Sequence, residues 1–138
     1  MRVLVIDPVG TYSPAQYTHG LCSGLSKLDG YQVTLFTNYY YPFSNRAIYT
    51  VGNFFYRRSE NRKRGLGRNI VRGIEYITAY MRIVSLLRGH PFDVIHIQWL
   101  QLYPFDILVL KYLKRYCSLL VYTAHNVIPH VDGMKKVK

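Results

Sequence analysis

His125 and Asn126 follow directly on Leu119–Tyr122, a short run of apolar and β-branched residues. The stretch Leu119–His130 (LLVYTAHNVIPH) reads as a buried strand that turns polar at Thr123–Asn126 and is closed by Pro129-His130. Ligands of open parallel sheets gather at the carboxyl ends of strands. A histidine delivered there can act as acid, base or hydrogen-bond donor. An equally available reading is a capping pair, with Asn126 in an Asx-turn and His125 satisfying a nearby carbonyl. His96 interrupts a second apolar run, Val94–Ile97. It fits a hydrogen-bonded core histidine, while Gln98 and Trp99 just beyond it could face the same cleft as His125. Zinc held by His96, His125 and His130 has no supporting ligand spacing, so no metal is expected.

The turn after the first apolar run, Asp7-Pro8-Val9-Gly10, stands where dinucleotide folds carry a glycine-rich phosphate cradle. Only Gly10 is present, so the GxGxxG fingerprint fails. Free N–H groups at the start of the following helix remain a weak candidate for phosphate contact. A different signal comes from Phe54–Arg72, which holds seven of the eighteen Lys/Arg residues against one acid, Glu60. Arg57, Arg58, Arg62, Lys63 and Arg64 could be a solvated face or could meet an anionic partner such as a lipid surface. Nucleic acid is the rival anion, but no recognition motif accompanies the charge and it ranks lower.

Four strands and three helices must position these groups. Arg2–Asp7 reads as a strand buried on both faces. Ser13-Pro14-Ala15-Gln16 resembles a capping box with Ser13 as N-cap. It opens a helix whose inner face is predicted as Tyr17, Leu21, Leu25 and Leu28. Gly20 and Gly24 lie within it, with close approach to the sheet or a ligand as their plausible use. Gln32–Thr37 is a second strand, and the three elements form a βαβ unit. Residues 38–68 read as a long basic-aromatic loop. Asn69–Arg88 returns to helical order, with Ile70, Ile74, Ile77, Met81 and Val84 predicted as its buried stripe. A third strand at Val94–Ile97, a helix opened by Pro104, and the Leu119 strand complete the series. The order implies an α/β fold with a Rossmann-like parallel sheet flanked by helices. A last strand without a following helix would leave part of one sheet face uncovered, as in a truncated domain.

The 138 residues suit one domain with a real core, and 49% hydrophobic residues exclude a disordered chain. A net charge of +11 favours anionic partners without bearing on the fold. Cys22 and Cys117 match no metal or redox spacing and read as free thiols of a reducing compartment. No signal peptide and no membrane span are visible, so a cytoplasmic protein is expected, with peripheral contact to the inner face of a membrane still open.

FDVIHIQWL, followed about twenty residues later by LLVYTAHNVIPH, resembles the N-terminal, acceptor-binding domain of family 4 retaining glycosyltransferases of the GT-B fold. RVLVID, the helix containing Tyr17-Thr18-His19-Gly20-Leu21, and QVTLFT extend the resemblance over nearly the whole chain. It implies that His125 approaches the donor sugar, and that Gly10 and Thr11 lie in the loop where acceptor and donor diphosphate meet. His96, Trp99 and Asn126 would line the same cleft. The implied enzyme moves sugar from a nucleotide-sugar to a polysaccharide or lipid-linked acceptor, with no metal or other cofactor. Two departures stand out: the paired glycines of the first loop are reduced to Gly10, and the C-terminal nucleotide-sugar domain is absent. The chain alone is therefore expected to bind acceptor without transferring sugar. A non-catalytic α/β binding module, or one subunit of a split glycosyltransferase, is the alternative.

Overall fold

The computed structural model describes residues 1–125. Five parallel strands form one sheet: β1 (Arg2–Asp7), β2 (Gln32–Asn38), β3 (Thr50–Phe55), β4 (Phe92–Ile97) and β5 (Cys117–Tyr122), in the spatial order β3-β2-β1-β4-β5. Helix α1 (Tyr12–Ser26) links β1 to β2, α2 (Leu66–Leu87) carries the chain from β3 back across the sheet to β4, and α3 (Tyr103–Leu113) links β4 to β5. The fold is thus α/β and Rossmann-like, and the strand order reverses between β1 and β4. At such a switch point a crevice opens at the carboxyl edge of the sheet.

β1 is central because both of its faces are apolar. Leu4 and Ile6 pack in one core with Tyr76, Tyr80, Ile83, Ile95 and Leu113, beneath α2 and α3. Val3 and Val5 pack in the other with Ala15, Cys22, Val33 and Leu35, beneath α1. The fifth strand, β3, lies within residues 38–68, which the sequence presents as a loop. Its TVGNFF contains Gly52 and Asn53, both poor strand formers, and its pairing to β2 from Thr34↔Thr50 onward supplies what local propensity does not. Gly52 leaves room for the rings of Phe36 and Phe54, into which a Cβ would run. Between β2 and β3, the Tyr41 and Tyr49 hydroxyls share a hydrogen bond of 2.8 Å, and His19 Nδ1 stands 2.7 Å from Tyr49 Oη.

Both long helices turn inward a face only partly shared with the one their aliphatic rhythm suggests: of the expected residues, Leu25 and Val84 pack against the cores. In α1 the buried residues are Ala15, Thr18 and Cys22, while Tyr17 and Leu28 are half exposed. Small side chains let this helix lie close to the sheet. The helix begins at Tyr12 with Thr11 as a cap that makes no side-chain bond, so the Ser13 capping box does not form. Gly20 and Gly24 have nothing within 4 Å of where a Cβ would stand, so close approach does not account for them. In α2 the buried residues are Tyr76, Ala79, Tyr80, Ile83 and Leu87, whereas Ile70, Ile74 and Met81 are more than half exposed. Tyr76 wins the inner face through both hydroxyl and ring, and Tyr80 through its ring alone, since its buried hydroxyl has no hydrogen-bond partner among the described residues. Tyr76 Oη donates to Asp106 Oδ1 at 2.7 Å, and Asp106 Oδ2 accepts the Leu102 N–H at 2.7 Å, which ties α2 to the start of α3. Tyr76 and Tyr80 meet edge to face at 5.0 Å, and Phe55 meets Tyr80 at 5.4 Å, geometries that favour aromatic pairs.

This face assignment gives a direct mutational contrast. Ile83→Ala empties part of a filled core and is expected to cost about 2–5 kcal/mol. Ile74→Ala, at the exposed stripe, should stay within about 0.5 kcal/mol. Urea denaturation of the two variants distinguishes the two faces, and equal losses would restore the aliphatic stripe as the inner face.

Candidate functional site

The site is built at the carboxyl ends of β1, β4 and β5. β1 ends in Asp7, which is fully buried. Its Oδ1 accepts the backbone N–H groups of Val9 and Gly10, each at 3.1 Å, and its Oδ2 accepts the Thr18 hydroxyl of α1 at 2.6 Å. Burial raises the Asp7 pKa from its ordinary 3.8, opposed in part by these three hydrogen bonds and by the nearby His125. Gly10 occupies the left-handed region at φ 47°, and a Cβ on it would collide with Thr37 Oγ1 and crowd Asn38. Glycine is therefore required twice over, by backbone conformation and by space. Thr37 Oγ1 is buried and has no hydrogen-bond partner among the described residues.

From β4 the chain runs on into Gln98, whose N–H donates to Ile6 O at 2.9 Å and whose side chain is buried. From β5 it runs on into Thr123, whose N–H donates to Ile97 O at 3.0 Å. These two continuations hold a polar chain. His96 Nε2 lies 2.6 Å from Thr123 Oγ1 and 3.5 Å from Gln98 Nε2, and Gln98 Oε1 lies 2.9 Å from His125 Nε2. Burial, then the neighbouring His125, lowers the His96 pKa from 6.5, favouring a neutral ring. A neutral His96 accepts the Thr123 hydroxyl proton and a Gln98 amide proton at Nε2. That orients the Gln98 carbonyl towards His125, whose Nε2 then carries the donated proton. The His125 ring stacks on Trp99 at 4.2 Å and 10° and takes the edge of Tyr17 at 5.4 Å and 86°. With one face and one nitrogen occupied, His125 can offer Nδ1 to a ligand. Of the expected cleft residues, His96, Trp99 and His125 come together. Asn126 and His130 lie outside the described residues. No three His, Cys, Asp or Glu side chains among the described residues stand close enough to hold a metal ion.

Gln98, expected to face the cleft with Trp99, does so, and Asp7, Thr18 and Tyr17 complete the site beyond the residues that stood out in the sequence. Asp7-Pro8 reads as a strand ending, and the carboxylate's partners Val9, Gly10 and Thr18 are apparent only once α1 folds back. Thr11 lies apart from His125 in a groove of about 730 Å³ that also has Tyr12, Gln16, Tyr40, Phe43 and Asn61 on its walls. Tyr12 has its backbone in the left-handed region at φ 54° and is 85% exposed, so a large ring is held out into this groove. The basic residues stand past β3, at the far edge of the sheet from β5. Arg57 lies over the Tyr39 ring at 5.1 Å, and the Arg58 and Ser59 N–H groups bond Glu75 at 2.7 and 3.0 Å. Arg72 pairs with Glu60 at 2.7 Å and lies 3.5 Å over the Tyr56 ring. Arg62, Lys63 and Arg64 are exposed.

No family model and no curated protein matches this chain. The fold is similar to that of the C-terminal domain of a hydrogenase from Pyrococcus furiosus, with a TM-score of 0.53 and 13% identity over 90% of each chain. At that identity the likeness concerns the fold alone.

Two measurements probe the site without a ligand. A carboxyl whose folded pKa is raised lends stability below its unfolded value, and that stability is lost as pH rises through the folded value. Wild type should therefore lose stability relative to Asp7→Asn as pH rises above the ordinary carboxyl value of 3.8 in urea titrations. Parallel curves would mean that Asp7 titrates normally. Gly10→Ala should destabilise by at least about 1 kcal/mol, because the native backbone is one alanine resists.

Proposed function

We propose that this chain is the acceptor-side half of a glycosyltransferase that takes its sugar from a nucleotide-sugar and gives it to a polysaccharide or lipid-linked acceptor. The observation that carries the reading is His125, positioned by Gln98 and Trp99 at the carboxyl edge of the sheet, within the stretch of sequence that resembles the family 4 enzymes. An α/β sheet with its crevice at this switch point is compatible with that role but common to many activities.

In the transfer itself the acceptor oxygen bonds to the anomeric carbon as the bond from that carbon to the diphosphate oxygen breaks. The nucleoside diphosphate leaves with the electron pair, and the acceptor hydroxyl proton passes to the departing phosphate. His125 Nδ1 is suited to hold a hydroxyl of the donor sugar, and the stacked Trp99 keeps the imidazole from turning. The groove beside Thr11 suits a carbohydrate acceptor, since Tyr12, Tyr40 and Phe43 offer rings for sugar faces while Gln16 and Asn61 offer hydrogen bonds.

Turnover by the full-length gene product with a panel of nucleotide-sugars tests the reading. His125→Ala should lower kcat by about 100-fold or more while thermal stability stays close to wild type. Near-normal turnover would make His125 a structural partner of Gln98 only. For the groove, Tyr12→Gly should relieve left-handed backbone strain of about 1 kcal/mol and yet raise the acceptor KM. An unchanged KM would take the groove out of acceptor binding.

A further inference from the structure

The outer face of α2 has no evident task in the site. Leu66, Ile70, Ile74 and Met81 are 77, 54, 57 and 65% exposed, and at spacings of four, four and seven they form one apolar line along three quarters of the helix. The line continues sideways onto α3, where Leu108 and Tyr112 are about half exposed. Between the helices runs a groove of about 370 Å³ with Met81, Val84, Leu108 and Tyr112 on its walls. Contiguous apolar surface of this kind marks a contact site.

The charges around it select the partner. Arg62, Lys63 and Arg64 stand exposed just before α2, Arg82 and Arg88 on its second half and end, and Lys111 on α3. The carboxylates of the described residues do not answer them. Glu60 pairs with Arg72, and Glu75 takes up the Arg58 and Ser59 N–H groups. Asp7 and Asp106 are buried, Asp93 takes up the Arg2 N–H, and Asp29 follows α1 on the other face of the sheet. A second copy of the chain would bring an equally basic rim against this one and be repelled. An apolar stripe with a cationic border is instead the pattern of a helix lying in the interface of an anionic bilayer.

We infer that the α2–α3 face is a docking surface for an anionic lipid membrane, with Leu66, Ile70, Ile74 and Met81 inserted at the level of the acyl chains and the surrounding Arg and Lys on the headgroups. No described helix is long and apolar enough to cross a membrane, so the contact is interfacial. The inference goes beyond the glycosyl-transfer reading and does not depend on it, since vesicle binding needs neither donor nor acceptor.

Co-sedimentation of the purified protein with vesicles of phosphatidylglycerol and phosphatidylcholine, against vesicles of phosphatidylcholine alone, tests it. Binding to the anionic vesicles should be at least about tenfold tighter and should weaken as salt is raised. The double variant Ile74→Gln, Met81→Gln should lower that binding by about tenfold, and so should the triple variant Arg62→Gln, Lys63→Gln, Arg64→Gln. All five positions are exposed, and circular dichroism checks that the fold is kept. In a second measurement, Met81→Trp should add fluorescence that brominated lipid quenches, beyond the signal of Trp99. Failure to bind anionic vesicles at low salt, binding unchanged by the apolar double variant, or no added quenching at position 81 would each overturn the inference. So would an oligomer in the absence of lipid that the apolar double variant dissolves, which would assign the face to self-association.

Discussion

The buried Asp7 carboxylate is the constraint on which the carboxyl edge of this molecule depends. It ends the central strand, and by accepting from Val9, Gly10 and Thr18 it sets both the turn after β1 and the seating of α1. An apolar residue of similar size would leave three donors unpaired inside the protein, each at a cost of about 1–3 kcal/mol. The ionised form is also expensive there, which is why burial dominates its titration. The turn is thus held by a group whose own burial is unfavourable. Such an arrangement is kept where the geometry it enforces is worth more than the stability it forgoes.

The geometry enforced is the meeting of three strand ends. Asp7 seats α1, and Tyr17 on α1 then presents its edge to His125. Gln98 continues β4 by a bond to β1, and Thr123 continues β5 by a bond to β4, so each polar residue stands one step outside a paired strand. Rigid sheet backbone positions side chains more tightly than a free loop does. The His96–Gln98–His125 chain is anchored at its inner end by a neutral ring and a threonine hydroxyl, and at its outer end by stacking on Trp99.

The sequence discloses the strands readily and the helix faces poorly, for physical reasons. β1 is a continuous apolar run buried on both faces, and β2, β4 and β5 are apolar enough to stand out beside it. β5, which reads as a buried strand, is instead the edge of the sheet, with Leu119 and Tyr122 about half exposed. β3 is hidden because Gly52 and Asn53 make it a weak strand until β2 pairs with it. In α2 the isoleucine rhythm is genuine but faces outward. Tyr76, which takes its place inside, depends on Asp106, thirty residues away, whose carboxylate takes the Tyr76 hydroxyl. No local pattern can report such a partner. His125, Trp99 and Gln98 are conspicuous by type and setting, whereas Asp7 owes its role to contacts with Val9, Gly10 and Thr18 that exist only in the folded chain.

The position of α2 connects its outer face with the site. In a parallel sheet every strand ends at the same edge, so α2, which follows β3, starts at that edge and runs back across the sheet towards the start of β4. Its basic approach, Arg62–Arg64, therefore lies on the rim that also carries Asp7, Gln98 and His125, though at the opposite side of the sheet from β5. A bilayer meeting the apolar line of α2 and the basic rim would hold the crevice beside the headgroups. A water-soluble acceptor gains little from such a placement. An acceptor carried on a lipid is confined to that layer, and its effective concentration at the crevice rises when enzyme and acceptor share one surface. Together, the proposed glycosyl transfer at His125 and the proposed membrane docking through α2 point to the lipid-linked acceptor rather than the polysaccharide.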